Sequence, residues 1–189
     1  LETTDRAITL ADVERLALAT SDADVARAHA IANLDARFPC LQATGVITVL
    51  VLPLLPKRKP MPSPHLLRRV AAKLCRARII GTRIDVVAPT YIPAQVQATV
   101  KVIGNGVNRA ELRRRIVEAL DRFFHPLSGG DDGRGWPFGR DVFRSEVLRV
   151  IDQTEGVDHV IDLDLIGPDG ASCVNLCLGP LELVESGPH

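Results

Sequence analysis

The sequence predicts an α+β fold: two small sheets of mixed or antiparallel strands, each covered by helices. Three observations predict it. Residues 46–52 form an unbroken apolar, β-branched run, the pattern of a central strand buried on both faces. Residues 94–102 alternate strictly, with Ala94, Val96, Ala98, Val100 and Val102 against Gln95, Gln97, Thr99 and Lys101, the pattern of a half-buried strand. Helix-period segments with well-formed start signals accompany these strands, in an order that reads as two units, each a small sheet covered by helices on one side. The predicted order is helix, strand, strand, helix, strand, then strand, helix, helix, strand, strand. A boundary near Pro89 divides it into a first unit, residues 1–89, and a second, residues 90–189.

The first helix starts at Thr9, which caps it, with Asp12 three residues on and an apolar stripe of Leu10, Val13, Leu16 and Ala17. Residues 26–34 alternate weakly and are read as a strand. Pro53 and Pro56 stop the apolar strand that follows. The connection Lys57-Arg58-Lys59-Pro60-Met61-Pro62 is basic and rich in proline. Ser63 then caps a second helix with Pro64 at its first position. Leu67, Val70, Ala71 and Leu74 face inward; Arg68, Arg69, Lys73 and Arg76 face outward. Ile84, Val86 and Ala88 alternate with Arg83, Asp85 and Val87 and give a strand.

In the second unit, Gly104-Asn105-Gly106 turns the chain and Asn108-x-x-Glu111 opens a helix. Leu112, Ile116, Leu120 and Phe123 form its buried stripe. Beyond residue 140, Asp141 is expected to cap a further helix in which Phe143, Val147, Val150 and Ile151 cluster, with Gly156 ending it. Val157, Ile161, Leu163 and Leu165 alternate with aspartates and predict a strand. Gly167-Pro168-Asp169-Gly170 is a turn, and residues 176–178 and 181–184 are short closing strands.

Composition narrows the function classes. A chain of 189 residues with 46% apolar residues folds on its core alone. Basic and acidic residues both number 23, so net charge carries no message about nucleic acid. Their placement does. Between Ala36 and Ile84 there are ten basic residues and no acidic one; from Val150 onward there are eight acidic residues and no Lys or Arg. Opposed patches of this kind suit complementary docking, between halves or between subunits. Cys40, Cys75, Cys173 and Cys177 lack the tight pairs of a zinc site and are expected to be buried thiols in a reducing cytoplasm. Residues 46–55 are too short a run for a membrane-spanning helix, and Leu1 to Asp5 has no leader-like pattern.

No pattern for catalysis emerges. The five histidines are scattered, and HExxH, GxSxG and Walker patterns are absent. Asp131, Asp132 and Asp141 are read as turn formers, and Asp158, Asp162 and Asp164 as an exposed or Arg-facing ladder. No metal, cofactor or catalytic residue is therefore expected. One alternative is an anion- or nucleotide-binding module, using the turn from Gly104 to Asn108 and the basic helix 64–78. The turn lacks P-loop spacing, and the helix has no interleaved aromatic to stack a base.

The stretch 125–140 is the most distinctive in the chain. Its glycines and prolines make a shaped loop, and it holds the only Trp. Trp136, Phe138 and Arg140 are residue types that dominate interface hot spots, and with Arg68, Arg69 and Arg76 they are the candidate interface residues. The competing expectation is that Trp136 folds back and plugs its own unit; its exposure separates the two.

The run Gly129-Gly130-Asp131-Asp132-Gly133-Arg134-Gly135-Trp136-Pro137-Phe138-Gly139-Arg140, with Asp141 to Val147 and Glu155-Gly156-Val157 after it, resembles the C-terminal part of the baseplate J-like proteins. These are baseplate assembly proteins of contractile injection systems and contractile phage tails. The segment from Arg6 to Ala17 also fits the family. The resemblance implies a structural wedge subunit with no catalytic residues. Its expected partners are other wedge subunits, further copies of itself, and hub and sheath-proximal proteins. It also implies synthesis in the cytoplasm followed by incorporation into a particle, and, with the missing initiator Met, a C-terminal piece of a longer protein.

Overall fold

A computed structural model of the chain describes residues 6–20, 24–104 and 108–187. The chain is α+β and divides into two compact units, Leu1–Thr90 and Tyr91–His189.

The first unit is a three-stranded sheet with two helices on it. Helix α1 (Leu10–Leu18) starts as its sequence requires: the Thr9 hydroxyl accepts the Asp12 amide at 3.1 Å, and the Asp12 carboxylate accepts the Thr9 amide at 3.0 Å. The Thr9 amide and the Thr9 hydroxyl both donate to the Asp12 carboxylate and hold it down at about 2. Strands β1 (Val25–Leu34) and β2 (Gln42–Pro53) pair antiparallel. Ala26 and Asn33 interrupt the register, and Asn33 takes a left-handed φ of 59°, which an Asn tolerates. These irregularities explain why the alternation of β1 is weak in the sequence.

Helix α2 (Pro64–Ala77) begins at the Ser63 cap and carries the chain over to β3 (Arg83–Val87), which lies parallel to β2. Strand β2 is thus central, and Val49, Leu50, Val51 and Leu52 are fully buried in succession. One of its faces, with Val49 and Val51, forms the core with Val13, Leu16, Val70 and Leu74 of the two helices. Asp35, nearly buried in the β1–β2 turn, ties that turn to β3. It accepts Arg37 Nη2 at 2.8 Å and Arg83 Nη2 at 2.5 Å.

The second unit has a four-stranded sheet in the order β7-β6-β4-β9, with β4 (Thr90–Val102), β6 (Val157–Ile166), β7 (Ser172–Cys173) and β9 (Glu182–Ser186). Helix α3 (Arg109–Phe123) starts at Asn108, whose side chain accepts the Ala110 and Glu111 amides at 3.0 and 3.3 Å. Helix α4 (Arg144–Asp152) packs on β6 and against α3.

Four expectations need correction. First, a third sheet exists: β5 (Val142–Phe143) pairs with β8 (Asn175–Leu176). Second, Asp141 does not cap α4. Phe143 occupies the cap position without a side-chain bond, and Asp141 instead accepts the Leu178 amide at 2.8 Å, because β5 intervenes. Third, Ile161 is 61% exposed although the alternation places it inside. Val160 pairs with Val100 and Asp162 with Thr99, so Ile161 is the extra residue of a bulge and the inward phase slips there. Fourth, Cys40, Cys75 and Cys177 are exposed and Cys173 is half-buried. Cys75 falls on the outer face of α2, between the buried Leu74 and Ala77.

Candidate functional site

Residues 125–140 leave the C-terminus of α3 and return to β5. The turn is built around the backbone of Phe123 and His125. The His125 carbonyl accepts the Gly129 amide at 2.8 Å and the Trp136 amide at 3.3 Å; the Phe123 carbonyl accepts the Gly130 amide at 2.8 Å. His125 Nδ1 accepts the amides of Leu127 and Ser128 at 3.3 and 3.2 Å. An Nδ1 that accepts amides carries no proton, so the Ser128 hydroxyl, 2.9 Å away, donates to it as well. Gly129 is sterically required: a Cβ there would lie 2.3 Å from the Phe123 carbonyl oxygen.

This turn delivers Trp136 into the second unit's core, where it is 0% exposed. Its ring meets Phe123 and Phe124 edge-on, with centroids 5.2 and 5.7 Å away. Its indole N–H donates to the Arg140 carbonyl at 3.1 Å. The Arg140 guanidinium lies over the indole at 4.9 Å, near Phe143 at 5.8 Å, and pairs with Glu146. The loop is therefore a folded plug. Of the two expectations for Trp136, the inward one is what the structure has, and its side chain offers no surface to a partner in this conformation. Phe138 and Arg140 are half-buried and stay partly reachable.

The loop aspartates do separate jobs. Asp131 pairs with Arg149, Asp132 accepts the Arg134 amide at 3.1 Å, and Asp141 holds Leu178. In β6, Asp162 lies 3.5 Å from Arg144, Asp158 lies 3.6 Å from Lys101, and Asp164 accepts the Ser172 hydroxyl at 2.8 Å. Among the described residues no group of three or more His, Cys, Asp or Glu is arranged to hold a metal ion.

The basic helix presents Arg68 and Arg76 to solvent, with Arg69 half-buried. Arg69, Lys73 and Arg76 line an open groove of about 580 Å³ against Leu16 and Thr20 of the α1 end. The Lys73 ammonium donates to the Ala19 carbonyl at the end of α1. The proposed anion turn is only partly visible: residues 105–107 lie outside the described residues. What is described beside it argues against an anion. The amides of Ala110 and Glu111 are already taken by Asn108, and the Glu111 carboxylate stands in the same first turn, held down to about 2 by Arg114 and Arg115.

Sequence reasoning missed the Arg140 clamp and the Asp35 tie. The aromatic–Pro–aromatic–Gly–Arg run signalled that something packs there, but not which carboxylate Arg140 would find. Glu146 is visible only as one acid among many.

No protein-family model matches this sequence, and no curated protein matches it. Among solved structures, the chain is similar to one in the cryo-EM structure of the anti-feeding prophage (AFP) baseplate, 6-fold symmetrised, with a TM-score of 0.73 and 19% sequence identity. The match covers 97% of this chain and 38% of that chain. The two share a fold over nearly all of the sequence described above, and this chain spans less than half the length of its structural neighbour.

Proposed function

We propose that this chain is the C-terminal part of a baseplate wedge subunit in a contractile injection system or phage-tail-like particle, acting through assembly contacts rather than catalysis. The observation that carries the reading is the fold likeness to a baseplate chain across 97% of the sequence. The GG-DDGRG-WPFGR run supports it independently, because it resembles baseplate J-like proteins at the residue level. The partners in this reading are other wedge subunits, further copies, and hub and sheath-proximal proteins. Synthesis in the cytoplasm precedes incorporation into the particle. The outer face of α2, with Arg68 and Arg76 exposed and Arg69 half-buried, serves as one assembly surface, since basic patches orient and register acidic partners. Phe138 and Arg140 stand at the rim of the Trp136 plug and are candidates for a second.

The test is purification of the parent protein from its native cells, with bound proteins identified by mass. Recovery of sheath, spike-hub and wedge-like proteins supports the reading. Recovery of none of these overturns it. In the same cells, the triple change Arg68→Glu, Arg69→Glu and Arg76→Glu is expected to block particle assembly while the purified variant melts like the wild type. Normal assembly removes α2 from the contact set.

A further inference from the structure

The second unit has an apolar slot that its described strands leave unfilled. Helix α3 runs back along β4. Its start follows Val102 after a short connection, and its end is fixed near Ala94, because the Asp121 carboxylate accepts the Ser186 hydroxyl at 2.5 Å and the Gly187 amide donates to the Ala94 carbonyl at 3.0 Å. Strand β9 lies beside β4 at this end. It has five residues, whereas β4 has 13. Counted from Ala94, five residues cannot reach Val100. Among the described residues, the edge of β4 from Val100 to Val102 therefore has no strand on the side opposite β6.

Over this stretch α3 and β4 enclose a slot of about 650 Å³. Val100, Val102, Ile116 and Val117 line it and are only half-buried, and Ala98 is exposed. A helix with an apolar face set over a sheet ordinarily buries it; here that face hangs over the place where the next strand would run. Arg109 and Arg113, both exposed, stand at its mouth, and none of the described residues lining it is acidic.

We propose that this slot receives a short extended segment of a partner protein as an added strand on β4, in line with β9. The edge supplies main-chain hydrogen bonds. The slot selects apolar side chains at alternate positions, since only one face of an added strand looks toward α3. Arg109 selects a carboxylate at the segment's end by charge complementarity. This inference goes beyond the baseplate reading and does not depend on which particle the chain serves.

The test is selection of displayed random octapeptides on the 189-residue chain, followed by hydrogen exchange with the best synthetic peptide. The expected peptides carry apolar residues at alternate positions and Asp or Glu at one end. Their binding slows exchange at Val100 to Val102. Arg109→Glu weakens them by about tenfold, the effect of one charged contact. That substitution puts an acid into the first turn of α3, where it does not harm the helix. Ile116→Asp abolishes binding. Failure to enrich any peptide, protection confined to other elements, or indifference to Arg109→Glu overturns the proposal. These outcomes concern a purified chain and a synthetic peptide, so they leave the particle-recovery test of the baseplate reading untouched.

Discussion

Trp136 meets Phe124 edge to face, with ring centroids 5.7 Å apart, and both side chains are essentially unexposed. The second unit is therefore closed by a residue delivered from a loop, not from a helix or strand. Trp136→Ala removes the largest buried side chain and leaves a cavity between Phe123 and Phe124. A cost of about 3–5 kcal/mol is expected, measured by urea unfolding. Because Trp136 is the only Trp, its fluorescence reads this site alone. Wild-type emission should be blue-shifted and shielded from iodide in the native state. Ready quenching by iodide would show the plug open in solution.

Arg140 both stacks on that indole and pairs with Glu146, whose side chain is 16% exposed and whose second carboxylate oxygen is buried without a partner. Removing Arg140 leaves the carboxylate uncompensated. Arg140→Ala is expected to cost about 2 kcal/mol, below the value for a fully buried pair because Arg140 is itself 33% exposed. Arg140→Lys should recover little, since an ammonium cannot lie flat on the indole as a guanidinium does. The double variant Arg140→Ala with Glu146→Gln should be less harmful than the sum of its parts. Additivity in that cycle would show that the two side chains do not act on each other.

The sequence was legible where one local rule decides an element. Thr9 with Asp12, Ser63 with Pro64, and Asn108 each start the helix that they announce, and the apolar run 46–52 is the central strand. It was not legible where distant pairing decides. Nothing near Ile161 announces that β6 carries one residue more than β4 there, so the alternation misplaces it. Likewise Asp141 looks like a cap until a two-residue strand from the far end of the unit claims its neighbourhood. The half-empty slot under α3 belongs to the same class: Gly179-Pro180 and Gly187-Pro188 announce that β9 is short, but nothing near it announces that it pairs with β4. The site was half legible. Residue types marked 125–140 as special, but whether Trp136 points out or in depends on the Phe123 and Phe124 pair it finds, and on the Gly129 contact that turns the chain toward them.

Three carboxylates should make the fold sensitive to acid. Asp35 is held well below the ordinary carboxylate range, first by its bond to Arg37 and then by that to Arg83. Asp12 and Glu111 are each held down to about 2, by Thr9 and by Arg114 respectively. A depressed folded-state value means that the unfolded chain takes up protons first as pH falls. The stabilisation is complete above the ordinary values of 3.8 and 4.5, and is lost on going down from there toward 2 and below. Urea unfolding at pH 7, 4 and 2.5 should show a steep loss below pH 4. Asp35→Asn should be less stable than the wild type at pH 7 and should lose less between pH 4 and 2.5. An equal loss in both proteins would show that Asp35 does not contribute to the acid sensitivity.

The Thr9 capping box makes a test confined to the first unit. Thr9→Ala removes the acceptor of the Asp12 amide and should cost about 1 kcal/mol, whereas Thr9→Ser should be nearly neutral because the hydroxyl stays. The helix that Thr9 caps packs in the first unit's core through Val13, Leu16 and Ala17, so the loss should appear in the unfolding of the first unit. Trp136 emission, which reports the second unit, should follow it only if the units unfold together. Coincident transitions by circular dichroism and by fluorescence would show a single cooperative chain; a shift seen by circular dichroism alone would show two.

Two glycines of the loop should separate close approach from backbone conformation. Gly133 has a φ of 68° and open space where a Cβ would go, so Gly133→Ala costs only the left-handed conformation, about 1 kcal/mol. At Gly129 a Cβ would meet three backbone atoms of Phe123 and His125, each at 2.6 Å or less. Backbone atoms in a hydrogen-bonded turn cannot swing aside as a side-chain end does. Gly129→Ala must therefore open the turn, break the Gly129 and Gly130 bonds to His125 and Phe123, and withdraw Trp136 from its pocket. A cost of about 3 kcal/mol is expected, at the upper end for overpacking. Red-shifted Trp136 emission should accompany it, while Gly133→Ala keeps the wild-type spectrum. Equal, small losses with unchanged emission would show that the turn at His125 does not set the position of Trp136.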